Sequence, residues 1–346
     1  ENIMSHEVET MAYAGEVPWH GLGVAVDANL SPHDMMKAAG LDWTVSKRPG
    51  YTLSEPDWSD DVEVIQTPST YFVVRDTDNE ILSHCGTSYI PVQNEKIFEF
   101  FERFTKAGNM TMETAGSLKN GSEIWGLAKV KYDFELPGGD EIKGYLLINQ
   151  PHKVGKSLSI RCTPIRVVCN NTLTLALEGG GNAFRMPHVR DFNLDVMQEA
   201  EEALGLTVAT LKGFKEQAEF LAKKKANKSL LQEFVTRVYQ PTVYDELLAF
   251  RTAKAAGKAV GEEPLIIEQL NKTATSVIEA VDTQPGANMK SAAGTWWGAL
   301  NAVTFVEDHM KYEHEAGNTL HSAWFGAGAN RKSKALNLAL EYANVA

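Results

Sequence analysis

The chain has 346 residues, of which 43% are hydrophobic and 23% are charged, so its composition supports a large folded core and excludes a disordered or fibrous chain. Its 33 Lys+Arg and 45 Asp+Glu give a net charge of -12, and this average argues against a nucleic-acid-binding protein. Because no run of about 18 apolar residues, no amino-terminal leader pattern and no CxxC pair is found, we expect a protein of a reducing cytoplasm without a membrane partner.

Short strands and turns dominate the first half of the sequence. Residues 69–90 are predicted to form a β-hairpin, and apolar residues recur at helical spacing between Asn94 and Gly108, which together make a β-β-α unit. Pro164 is expected to interrupt the last predicted strand. The further strands of this half are predicted over residues 122–134, 144–149 and 158–169.

The second half is helical in pattern from about Leu194 onward, and the adjacent Trp296 and Trp297 are expected to pack in its core. Strands followed by helices indicate an α+β fold. We therefore predict a β-rich α+β core with antiparallel hairpins over residues 1–192 and a helical region over 193–346. The helices are predicted over residues 196–226, 230–239, 243–256, 264–281, 295–312 and 332–343.

No motif in the sequence indicates catalysis or a cofactor. The phosphate-loop, dinucleotide-binding, nucleophile-elbow and zinc-protease patterns are all missing, so we predict no catalytic residues and no cofactor. The weak candidates for a metal site are His309, His314 and His321. His309 and His314 are five residues apart and do not share one face of a helix, so a solvated charged surface is the favoured interpretation.

The local charge departs from the average between residues 143 and 190. Seven basic residues stand there against the single acid Glu178, which leaves -18 for the rest of the chain. We interpret this segment as a basic strip that contacts phosphates, with two asparagines as neutral donors. The alternative is that its cations pair with carboxylates inside the protein, Arg161 and Arg166 first. The predicted strip consists of Lys143, Lys153, Lys156, Arg161, Arg166, Asn170, Asn171, Arg185 and Arg190.

Five segments resemble the phage/plasmid-like protein family, which is a domain of unknown function. They span nearly the whole chain and comprise residues 15–23, 89–94, 115–118, 163–173 and 297–303, among them the runs Pro18-Trp19-His20-Gly21 and Trp297-Gly298-Ala299-Leu300. The resemblance implies a product of a phage, prophage or mobile plasmid that acts in the bacterial cytoplasm. The predicted order of elements is also similar in outline to phage single-strand annealing proteins of the RecT and Redβ kind, which form rings or helices.

These observations lead to three hypotheses. The first is a single-stranded DNA-binding or annealing protein of recombination or replication, a homo-oligomer in which Trp125 or Tyr145 stacks on bases. The second is an acidic interaction protein, an anti-defence factor that binds a host protein through an acidic helical half. The third is a metal-dependent enzyme built on the three histidines.

Overall fold

The computed structural model describes residues 8–15, 22–54, 62–106, 110–169, 171–172, 184–205, 207–258, 261–263, 270–310 and 319–345. The protein is α+β, with a strand-rich first half and helices mostly in the second, which confirms the predicted fold class. The chain divides into two compact units, called unit 1 and unit 2 below. Unit 1 consists of Glu1–Lys131, Tyr145–Cys162 and Leu177–Thr207, and unit 2 of Tyr132–Gly144, Thr163–Ala176 and Val208–Ala346.

The division differs from the predicted boundary after residue 192, because each unit is assembled from separate stretches of the chain. The strands are β1 (Val8–Ala14), β2 (Val24–Val26), β3 (Val45–Leu53), β4 (Val64–Arg75), β5 (Ile81–Cys85), β6 (Met110–Leu118), β7 (Glu123–Leu136), β8 (Asp140–Pro151), β9 (Ser157–Arg166), β10 (Asn171–Thr172) and β11 (Arg185–Pro187). The helices are α1 (Pro32–Ala38), α2 (Asn94–Lys106), α3 (Leu194–Gly205), α4 (Thr207–Lys223), α5 (Lys228–Tyr239), α6 (Pro241–Ala255), α7 (Lys272–Thr283), α8 (Trp296–Phe305), α9 (Thr319–Phe325) and α10 (Ala327–Val345), with a π-helical turn at Val306–Met310.

Unit 1 contains a sheet in the hydrogen-bonded order β9-β8-β7-β6-β1-β2, and β11 pairs antiparallel with β9. In the β6–β7 register Gly116 lies opposite Trp125, and a side chain at Gly116 would collide with the indole. A second, three-stranded antiparallel sheet has the order β3-β4-β5 and contains the hairpin predicted over residues 69–90. The predicted apolar stripe of α2 is buried, as its periodicity indicates.

Unit 2 contains the remaining residues of β7, β8 and β9, the short strand β10 and most of the helices. Its core contains Trp296 and Trp297, which are both buried as predicted. The ring of Trp296 stacks on Tyr342 of α10 at 5.4 Å between centroids and meets Phe234 of α5 edge-on at 5.6 Å. These aromatic contacts join α5, α8 and α10.

Candidate nucleic-acid interface

The predicted basic strip is divided between the two units. Unit 1 holds most of its cations, whereas Lys143 and Arg166 belong to unit 2. Asn171 lies in β10 of unit 2, and Asn170 lies outside the described residues. The strip is therefore not one surface of one compact unit, and each part is described by itself.

Four cations of unit 1 lie on the β8–β9 turn and on the paired strands β9 and β11. We call them the basic face: Lys153, Lys156, Arg161 and Arg185. Lys156 and Arg185 are exposed, and Lys153 and Arg161 are half-buried. Two exposed apolar side chains, Val154 and Val189, lie in the same turn and just after β11.

The pairing of β9 with β11 brings the two arginines together. Arg185 lies opposite Ser159 in the register, and the Ile160 N–H donates to the Phe184 carbonyl at 2.9 Å. Arg161 follows Ser159 by two residues, so alternation along β9 places it on the same side of the strands as Arg185. Two guanidinium groups thus point to one surface of unit 1.

Within the described ranges this pair of arginines has no counter-charge. Among the described residues no carboxylate lies within ion-pairing distance of either guanidinium. Burial, and then the neighbouring charge of Arg185, lower the pKa of Arg161 from its ordinary value. A partly desolvated cation beside a second cation destabilises the folded protein, and a bound anion would offset this cost. Phosphate suits such a place because planar guanidinium groups bind it in a bidentate manner.

Arg166 behaves differently, and its assignment to a phosphate-binding strip is wrong. It is buried and donates from Nε and Nη2 to the two carboxylate oxygens of Asp140, at 2.7 and 2.9 Å. Among the residues that the structure describes, the alternative of internal pairing therefore applies to Arg166 and not to Arg161. The expected interruption at Pro164 is wrong, because β9 continues from Ser157 to Arg166. Residues five apart in a regular strand lie on opposite faces, so Arg161 and Arg166 point to opposite sides of β9.

The two other cations are less favourably placed for a ligand. Arg190 forms an exposed ion pair with Glu199 at 2.8 Å, which a phosphate would have to displace. Lys143 is half-buried on the unit 2 part of β8. We therefore restrict the candidate interface to the basic face.

The aromatic residues predicted to stack on bases are buried, which corrects that assignment. Trp125 is 1% exposed and its Nε1–H donates to Thr114 Oγ1 at 3.0 Å, while Tyr145 is 6% exposed. Neither ring has a face open to a base. The half-buried Phe184 directly precedes Arg185. Its carbonyl accepts from the Ile160 N–H, so alternation turns the Phe184 ring to the opposite side of the strands from Arg161 and Arg185.

The three histidines do not form a site within the described residues. His309 lies in the π-helical turn with its ring 5.1 Å from that of Phe305, and His321 lies 6.0 Å from Phe325. His314 lies outside the described residues. In the part of the chain that the structure describes, no group of three His, Cys, Asp or Glu side chains is arranged to hold a metal ion.

The acidic residues are also distributed differently from our expectation. Residues 193–346 carry 19 acidic and 16 basic residues, whereas residues 1–142 carry 24 acidic and 10 basic residues. The helical half is therefore close to neutral, and the expectation of an acidic helical half is wrong. None of the described helices combines the length and the apolar character needed to cross a membrane.

Fold and site together define an α+β protein whose unit 1 presents a basic face on a strand pair. Residues 81–333 match the family described as a domain of unknown function (DUF932), and the chain belongs to this family. No curated protein and no solved structure matches the chain. The matched region includes all four residues of the basic face, and it begins after β4.

Proposed function

We propose that the protein binds single-stranded DNA through the basic face of unit 1. The observation that carries the proposal is the Arg161–Arg185 pair, in which two guanidinium groups share one surface and have no carboxylate partner among the described residues. An anion supplied from outside would balance the charge of these two guanidinium groups. The rest of the chain has a net negative charge that repels phosphates, so the contact is confined to the basic face.

The arrangement suits a flexible phosphate chain. Lys156 directly precedes β9 and lies five residues before Arg161, a separation of about 16 Å at the rise of a β-strand. Cations spaced over such a distance contact separate phosphates of one strand.

The wider role belongs to the same proposal. Binding of single strands would serve annealing in recombination or replication, with the protein acting as a homo-oligomer. The sequence resemblance suggests a phage, prophage or mobile-plasmid product in the bacterial cytoplasm.

Binding of a fluorescently labelled oligo-dT at low salt, followed by anisotropy, tests the proposal. The double variant Lys156→Glu/Arg185→Glu alters two exposed side chains of the basic face and should bind at least about tenfold more weakly. Lys131→Glu, an exposed lysine of β7, is the control and should bind like the parent protein. Absence of binding by the parent protein, or equal loss in both variants, would overturn the proposal.

A second candidate function is supported by the 24 acidic residues within 1–142. An acidic surface favours a host protein with a basic, DNA-binding surface as partner. Anisotropy also separates the two functions when the label is placed on a basic DNA-binding protein and the unlabelled parent protein is added. Binding to that labelled protein, without any binding of oligo-dT, would favour the second function.

A further inference from the structure

The two arginines of the basic face lie close enough to bind one phosphate together. Arg185 of β11 is opposite Ser159 of β9, and Arg161 follows Ser159 by two residues, so the arginines are diagonal neighbours on one face of an antiparallel strand pair. Diagonal neighbours in such a pair are about 7–8 Å apart, a distance that long side chains can span. Both guanidinium groups can therefore reach the same phosphate.

The charge of this pair is not balanced by the part of the protein that the structure describes. Arg161 is half-buried, and a guanidinium group in a protein stays protonated, so it cannot relieve the repulsion from Arg185 by losing a proton. In the described ranges of the chain no carboxylate lies within ion-pairing distance of either arginine. Full compensation therefore requires two negative charges at one place.

The phosphates of a DNA strand differ in the charge and the oxygens that they offer. A phosphodiester inside the strand carries one negative charge and two non-bridging oxygens. A terminal phosphate monoester offers three terminal oxygens and, because its second pKa is about 6, a charge of about -1.5 to -2 at pH 7. Each guanidinium fork binds two oxygens, so two forks on one phosphate are matched better by the monoester than by the diester.

The lysines of the basic face suit the diesters of the strand instead. Lys153 and Lys156 are point charges without the planar fork of arginine, so they do not select for the number of phosphate oxygens. Lys156 directly precedes β9 and is about 16 Å along the strand from Arg161, which is too far for contact with the same phosphate. The basic face therefore combines one paired site with separate single charges.

We infer that the Arg161–Arg185 pair binds the terminal phosphate monoester of a single DNA strand, with the lysines of the basic face on the diesters beside it. The inference rests on the proposed function, because it concerns the same surface and the same ligand. It adds that a phosphorylated strand end is preferred to an internal phosphate. A 5′-phosphate and a 3′-phosphate present the same group, so each end is measured by itself.

Competition against an internally labelled oligo-dT, followed by anisotropy on the full chain at low salt, tests the inference. The competitors are three oligo-dT strands of about eight nucleotides, with a 5′-phosphate, with a 3′-phosphate, or with hydroxyl groups at both ends. At least one phosphorylated strand should compete about tenfold better than the hydroxyl-ended strand. This advantage should shrink between about pH 7.5 and about pH 5.5, because the monoester takes up a proton near pH 6 whereas the diesters do not.

Two variants make the test specific to the arginine pair. Arg185→Lys keeps the charge of an exposed side chain and removes its fork, so it should abolish the advantage of the phosphorylated end and change the affinity for the hydroxyl-ended strand little. Lys156→Gln is the matched control and should weaken binding of all three strands by the same factor.

The outcomes separate the inference from the proposed function. Equal competition by the three strands, or an advantage that survives Arg185→Lys, would overturn the inference and leave single-strand binding intact. A parent protein that does not bind the labelled oligo-dT would overturn both.

Discussion

The guanidinium of Arg166 donates to both carboxylate oxygens of Asp140, at 2.7 and 2.9 Å, and both side chains are buried. The same carboxylate accepts hydrogen bonds from Ser291 Oγ at 2.6 Å and Trp297 Nε1 at 2.9 Å. This network ties β8, β9 and the start of α8 together within unit 2. Arg166 therefore has a structural role, in contrast to Arg161, for which the described part of the chain supplies no carboxylate partner.

Loss of the Arg166 guanidinium should destabilise the protein strongly. Arg166→Met leaves the buried Asp140 charge without its counter-ion, which costs about 3–5 kcal/mol in the free energy of unfolding. Urea titration measures this change. Arg190→Met, which removes an exposed ion pair, is the control and should change the unfolding midpoint little. Equal midpoints for the two variants would contradict the buried network.

The opposite effect is expected for Arg161. Its guanidinium is partly desolvated beside Arg185, so Arg161→Met should raise the free energy of unfolding by up to about 1 kcal/mol. The same variant should bind oligo-dT more weakly, because it removes a phosphate contact. Thermal unfolding and anisotropy on one preparation measure both effects. A destabilised variant with unchanged binding would show that Arg161 is a structural residue.

Trp125 should affect stability and leave binding unchanged. Trp125→Phe loses the hydrogen bond to Thr114 and leaves a space beside Gly116, so the unfolding midpoint should fall while oligo-dT affinity is unchanged. Urea titration and anisotropy on one preparation measure both quantities. A lower oligo-dT affinity with an unchanged midpoint would restore Trp125 as the stacking residue.

Much of the fold follows from local sequence patterns, and the site does not. The hairpin of β4 and β5, the apolar stripe of α2 and the buried Trp296-Trp297 pair depend on nearby residues and are predicted correctly. β1 pairs with β6, about a hundred residues away, and no local pattern indicates that pairing. The basic face likewise depends on β11 meeting β9 across a separation that the sequence does not encode locally.

The buried His152 should make stability depend on pH. Burial, and then the neighbouring His188, lower the pKa of His152 to about 3, so the folded protein keeps this ring neutral where the unfolded chain protonates it. Because the folded pKa lies below the unfolded value of about 6.5, stability is complete above pH 6.5 and is lost as the pH falls toward 3. At pH 5 the loss from this group is about 2 kcal/mol.

Urea midpoints between pH 5 and pH 7 measure this effect, because few carboxylates titrate in that range. His152→Gln keeps a donor toward Asn94 Oδ1, which lies 3.0 Å from the histidine Nε2, and removes the titrating ring. The variant should show a smaller loss between pH 7 and pH 5 than the parent protein. An identical pH dependence would mean that His152 is solvated in the folded protein.

The salt dependence of oligo-dT binding tests the basic face most directly. Each phosphate contact to a single strand contributes about -0.7 to the slope of log affinity against log salt. Lys156→Gln/Arg185→Gln removes two exposed cations and should therefore make that slope less negative by about 1.4. Lys131→Gln should leave the slope unchanged. Equal slopes for the parent protein and the basic-face variant, or no binding by the parent protein at low salt, would contradict DNA binding at this surface.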